Sequence, residues 1–168
     1  VTFNSPPLNC FIIFSGEIIL LTLISLISIA LIIGIDQLIK WIIVKNFEFK
    51  GSVPFIHIGD FEIINLSYHK NTGAAFSIFS GMQIFLIIIT SIFILAGIYA
   101  IVSGKVKRPV LVASFSLIIG GGIGNLIDRI FRGFVVDYFE VRLFDFAVFN
   151  FADCCVIIGA VMFLLVYI

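Results

Sequence analysis

Acidic and amide side chains gather in one part of a chain that otherwise has few of them. Gly120-Gly121-Gly122-Ile123-Gly124-Asn125-Leu126-Ile127-Asp128-Arg129 is followed by Val135-Val136-Asp137-Tyr138, then by Asn150-Phe151-Ala152-Asp153. Charged residues make up 12% of the sequence and hydrophobic residues 61%. Carboxylates at membrane depth are unfavourable enough that a cluster of them marks a functional site. Two acids close enough to share a proton have separated pKa values and can activate water, one as base and one as acid. Asp137 and Asp153 are the expected pair. Singly, Asp153 reads as a first-turn helix charge and Asp137 as a solvated loop acid. With Asn125 and Asn150 on the same face, the catalytic reading is favoured.

Other motifs speak less sharply. Asp36 and Lys40 stand at i, i+4, in the favourable order for a helical ion pair. They read as a structural pair, as a lysine reaching the interface, or as a brace for the site. Asn71-Thr72-Gly73-Ala74-Ala75-Phe76 reads as a helix cap or as a backbone strip gripping an extended peptide, with Gly73 allowing close approach. The glycines of 120–124 suit close helix packing, and the Lys-Ser/Thr of a phosphate loop is missing. Arg129 is placed to pair with Asp128 or to reach a phosphate. Cys10, Cys154 and Cys155 read as small apolar residues, and His57 and His69 as separate interfacial loop histidines. No metal and no cofactor is expected.

The elements that must position these residues are membrane helices. A chain of 168 residues with mean hydropathy +1.26 has too much apolar surface to hide in a water-soluble core of its size. A spanning helix needs about 20 apolar residues. Four stretches qualify: Ile18 to Val44, Met82 to Val102, Pro109 to Phe131, and Phe151 to Ile168. The fold class is therefore a membrane all-α, four-transmembrane-helix bundle. Phe61 to Tyr68 and Phe134 to Leu143 are strand-like, which adds a small β element on the outer surface. We expect one integral-membrane domain over 1–168, with 1–16 as a flexible, non-helical extension.

The link Ser103 to Arg108 carries Lys105, Lys107 and Arg108 without an acid. The positive-inside rule puts it, and both termini, in the cytoplasm. Asp36, Lys40, Asn125, Asp128, Arg129, Asp137 and Asp153 then all fall toward the outer face. A formal net charge of +0 argues against nucleic acid as a partner.

Five blocks together resemble the bacterial lipoprotein signal peptidases (signal peptidase II), over about Asp36 to Ala160. They are Asp-Gln-Leu-Ile-Lys at 36–40, Asn-Thr-Gly-Ala-Ala-Phe-Ser at 71–77, Gly-Gly-Gly-Ile-Gly-Asn-Leu-Ile-Asp-Arg at 120–129, Gly-Phe-Val-Val-Asp-Tyr at 133–138 and Phe-Asn-Phe-Ala-Asp at 149–153. The resemblance implies an aspartic endopeptidase of the inner membrane. Such enzymes remove signal peptides from prolipoproteins whose cysteine carries a diacylglyceryl group, cutting on its amino side. It implies Asp137 and Asp153 as the catalytic dyad. It implies Asp36, Lys40, Asn71, Gly73, Asn125, Asp128, Arg129, Asn150 and Ala152 as supporting or substrate-lining residues. Tyr138 stands where Phe is more usual. The expected partners are diacylglyceryl-modified prolipoproteins and membrane phospholipid, with the chain acting as a monomer. A small transporter using the acids as an ion path, or a glycine-packed scaffold, is the competing reading.

Overall fold

In the computed structural model the structure describes the backbone of residues 8–15 and all atoms of residues 16–73, 79, 81–166 and 168. Four helices and three strands follow in the order α1 (Leu8–Asn46), β1 (Ser52–Ile58), β2 (Phe61–Asn71), α2 (Gln83–Val102), α3 (Pro109–Arg132), β3 (Val135–Val141) and α4 (Phe151–Leu165).

The helices begin and end where local chemistry directs. Pro109 opens α3, where its missing N–H costs nothing, and Gly133 closes it in the left-handed region at φ 76°. Asn150 and Asp153 cap α4 reciprocally. The expectation of a non-helical 1–16 fails over Leu8–Gly16, which lies inside α1. The largely apolar run after Pro7 meets no further proline before it joins the main span.

Gly16–Asn46, α2 and α3 are long and apolar enough to cross a membrane. The fourth expected span is shorter than anticipated. At 15 residues, α4 covers about 22 Å, less than a hydrocarbon core of about 30 Å. The outward faces are apolar, as lipid contact requires: Leu31 is 61% exposed and Phe93 70%.

Helix α3 is central and packs against α1, α2 and α4. Ile29, Ile94, Ile101 and Ile119 form the apolar core between them. Small residues allow the close approaches. A β-carbon on Gly120 would lie 2.9 Å from Ile32, and one on Gly159 2.7 Å from the Ser114 carbonyl oxygen. Hydroxyls tie the same seams: Ser25 and Ser116 meet at 2.7 Å, and Ser114 Oγ donates to the Gly159 carbonyl at 2.7 Å. Buried polar groups in such a seam hold helices together where the hydrophobic effect cannot.

The three strands form one antiparallel sheet in the order β1-β2-β3. The two expected β segments are β2 and β3. The sequence reading missed β1, an exposed edge strand carrying Pro54, a residue that weakens strand signals and tolerates edges. Ile43, Tyr68, Val136 and Tyr138 form a second apolar core that anchors the sheet on the end of α1.

Candidate active site

The register of the sheet brings the first components together. His69 pairs with Asp137 across β2 and β3. Asn71, two residues on, shares the His69 face and lies diagonal to Asp137. Its Nδ2 donates to Asp137 Oδ2 at 2.9 Å. Beyond β3 the chain returns antiparallel, and Phe139 and Phe149 exchange backbone bonds at 2.8 and 3.1 Å. This clasp sets the start of α4, and hence Asp153, beside β3. Tyr138 secures it from below: its hydroxyl accepts from the Phe151 N–H at 3.0 Å.

Each of the two acids is held through both oxygens by nitrogen donors. Asp137 Oδ1 accepts from Asn150 Nδ2 at 2.7 Å, opposite the bond from Asn71. Asp153 Oδ1 accepts from Asn125 Nδ2 at 2.8 Å, and its Oδ2 from the Asn150 N–H at 3.1 Å. Asn150 thus serves both acids, one with its side chain and one with its backbone. The amides cannot turn over. Asn71 Oδ1 is taken by the Gly73 N–H at 2.8 Å, Asn150 Oδ1 by the Asp153 N–H at 3.0 Å, and Asn125 Oδ1 by Lys40 Nζ at 2.9 Å and Asn150 Nδ2 at 3.2 Å.

A buried ionic layer stands behind this constellation. Lys40, fully buried, is 2.9 Å from both Asp36 Oδ2 and Asp128 Oδ2. It does not reach for the interface. Asp128 also accepts from the Val136 N–H at 3.1 Å, which ties α3 to the residue next to Asp137. Gly124 lets Asp36 in, since a β-carbon there would lie 2.5 Å from Asp36 Oδ2. Burial of this many charges is tolerated only because they pair and hydrogen-bond.

Of the two readings of Arg129, the pair with Asp128 is not formed. Arg132, a turn later, holds Asp128 Oδ1, while Arg129 turns toward the acids. Its Nη2 donates to the Gly73 carbonyl at 2.9 Å, and its buried Nε has no partner among the described residues. The i, i+4 spacing of Asp128 and Arg132 was a sequence signal for the true pair. Gln37, which donates to Asp36, the Gly124 carbonyl and Asp128, carried none. His57 and His69 lie in strands β1 and β2, not in loops. Of the motif at 71–77, Ala74, Ala75, Phe76 and Ser77 fall outside the described residues, as does the Cys10 side chain.

Asp137 and Asp153 line one cavity of about 390 Å³, together with Asn71, Asn125 and Arg129. Its remaining walls are mainly apolar and come from α2, α3 and α4, from Val135 of β3 and from Ala147, Val148 and Phe149 before α4. Ala152, fully buried, packs against Gly121 and Gly124 rather than lining it. Burial, and then the charge of Asp153, push the Asp137 carboxyl up to about 7, against the lowering effect of Asn71 and Asn150. No group of three or more His, Cys, Asp or Glu is placed to hold a metal among the described residues. Two acids in one cavity, one with a strongly raised pKa, can divide the roles of general base and general acid.

A family model described as signal peptidase (SPase) II matches residues 28–168. A protein named lipoprotein signal peptidase from Shouchella clausii (strain KSM-K16) is 38% identical over 135 residues, which are 80% of this chain and 86% of the relative. A bacterial membrane enzyme solved by the in meso method at 2.3 Å resolution superposes with a TM-score of 0.78 at 31% identity, covering 85% of this chain and 86% of its own. A second, at 1.9 Å, gives 0.76 at 31% identity over 86% and 92%. The family model covers most of the chain, the relative agrees along most of its length, and the helices and sheet follow a bacterial membrane enzyme: this chain belongs to the signal peptidase II family of membrane proteases.

Proposed function

We propose that the protein removes signal peptides from diacylglyceryl-modified prolipoproteins, as an aspartic endopeptidase that cuts on the amino side of the lipidated cysteine. Family membership supports the substrate class. The observation that carries the catalytic reading is the shared cavity of Asp137 and Asp153, each acid gripped through both oxygens by nitrogen donors.

In this reading the dyad retains one proton near neutral pH, which the raised pKa of Asp137 supports. The ionised acid takes a proton from a water as its oxygen attacks the scissile carbonyl carbon. The protonated acid gives its proton to the carbonyl oxygen. Collapse of the tetrahedral species returns that proton and expels the amine, which leaves protonated from the other acid. Arg129 lines the same cavity and is available to a substrate carbonyl there. Asp36, Lys40 and Asp128 position the amides and β3 from behind.

The same reading makes α4 the fourth span, keeps both termini in the cytoplasm, and sets the dyad toward the extracytoplasmic face. The basic link Lys105-Val106-Lys107-Arg108 between α2 and α3 supports it. The diacyl chains then stay in the bilayer and position the peptide bond at the dyad. An ion path is disfavoured, because α2 carries no charged residue and α4 only Asp153.

The test is cleavage of a diacylglyceryl-modified prolipoprotein by the purified chain, compared with its unmodified form. Asp137→Asn and Asp153→Asn are each expected to lower kcat by at least about 10³-fold, the scale for one member of a cooperating catalytic set. Substantial cleavage by either folded variant defeats the dyad.

A further inference from the structure

We propose that Gly122 sets the size of the substrate side chain accepted beside the scissile bond. The proposal rests on the peptidase reading above and adds a specificity-determining position to it.

The four glycines of α3 are not equivalent. A β-carbon on Gly120 would lie 2.9 Å from Ile32, one on Gly121 would collide with the Ala152 carbonyl, and one on Gly124 would meet Asp36. Packing alone requires those three. Gly122 is different. A β-carbon there lies 3.6 Å from Ile94 and 4.0 Å from Thr90, ordinary van der Waals distances. Glycine weakens a helix interior relative to alanine, and nothing in the packing of Gly122 demands it.

What Gly122 does is line the cavity that holds Asp137 and Asp153, with Ile94 and Thr90 facing it from α2. The missing side chain is therefore cavity space. Gly122 precedes Asn125 by three residues, so the two share a helix face about 4.5 Å apart along the axis. Asn125 holds Asp153. An extended peptide advances about 3.3 Å per residue, so a bond attacked at the dyad brings a side chain one or two residues away to Gly122. The surroundings there are apolar, which suits an aliphatic side chain.

The experiment uses diacylglyceryl-modified peptides in which each of the three residues before the modified cysteine is in turn Gly, Ala, Val or Leu. They are assayed with the full chain and with Gly122→Ala and Gly122→Leu. The readout is the ratio of kcat/KM for the Leu peptide to that for the Gly peptide, which is independent of the active fraction. At one position this ratio is expected to fall by about 10–200-fold in Gly122→Leu, the range for misfitting an apolar group, with Gly122→Ala intermediate and the change residing in KM. An unchanged ratio at all three positions overturns the proposal. Binding of the same labelled peptides is measured in Asp137→Asn, with and without the Gly122 changes. Size-dependent binding there upholds the role of Gly122 even if no peptide is cut, an outcome that would remove the peptidase reading alone. Size-independent binding overturns it.

Discussion

Lys40 donates from Nζ to Asn125 Oδ1 at 2.9 Å, and so fixes which end of that amide faces Asp153. A buried ammonium is thereby linked to an acid it does not touch. The same Nζ also neutralises Asp36 and Asp128, both fully buried. Lys40→Met keeps the length of the side chain but leaves those carboxylates short of a cation. Breaking a buried pair from one side destabilises by about 3–5 kcal/mol. Thermal unfolding in detergent should show that loss, and Asp36→Asn added to Lys40→Met should restore part of it. Equal midpoints for the native protein and Lys40→Met would show that the ionic layer contributes nothing to the fold.

Asn125→Asp isolates the second half of the relay. Shape and the Lys40 contact survive, but the N–H given to Asp153 is replaced by an oxygen. A third carboxylate would face the cavity. We expect kcat to drop by about 10²-fold, the usual cost of losing one donor in a preorganised site, with helix content unchanged by circular dichroism. An activity within twofold of native would mean that Asp153 needs no amide to hold it.

The pH dependence follows from Asp137. Its pKa rises from 3.8 to about 7 in the folded protein, by burial first and by Asp153 second. If the proposed dyad keeps its proton on Asp137, the enzyme is competent below that value, and kcat/KM should decline as pH rises through about 7. A raised folded-state pKa also means that the folded form binds the proton more tightly. Its contribution to stability is full below 3.8 and is lost as pH rises to about 7. A pH–rate profile with a lipidated peptide checks the first statement. A flat profile between about pH 6 and pH 9 would exclude titration of the dyad there.

Several parts of this arrangement were legible in the sequence because their signals are local. Asp36 and Lys40 at i, i+4, the first-turn Asp153 and the apolar runs of α2 and α3 all sit where periodicity and capping place them. The partners that were missed depend on distant geometry. Gln37 reaches Gly124 and Asp128 only because α1 packs on α3. His69 faces Asp137 only through the register of β2 and β3, which a bulge after Leu66 resets. Arg132 stands at i, i+4 from Asp128 and takes it, a pairing the helix period signalled, whereas the contact of Arg129 with the Gly73 carbonyl depends on the fold. The shortness of α4 was hidden because apolar composition continues past the point where the helix ends.

The Tyr138 hydroxyl beside the dyad strand serves the structure rather than the chemistry. Its hydroxyl accepts the Phe151 N–H at 3.0 Å, with the tyrosine side chain fully buried. Phe151 is the first residue of α4, so its N–H has no partner within the helix. Tyr138→Phe keeps the ring packed against Ile43, Tyr68 and Val136 and removes only the acceptor. Leaving that donor unpaired costs about 1–3 kcal/mol. The clasp between Phe139 and Phe149 remains, so Asp153 should stay beside Asp137 and kcat should change by less than about threefold. Denaturation in detergent and single-turnover cleavage separate the two effects. A large fall in kcat with unchanged stability would instead place the hydroxyl in the chemistry.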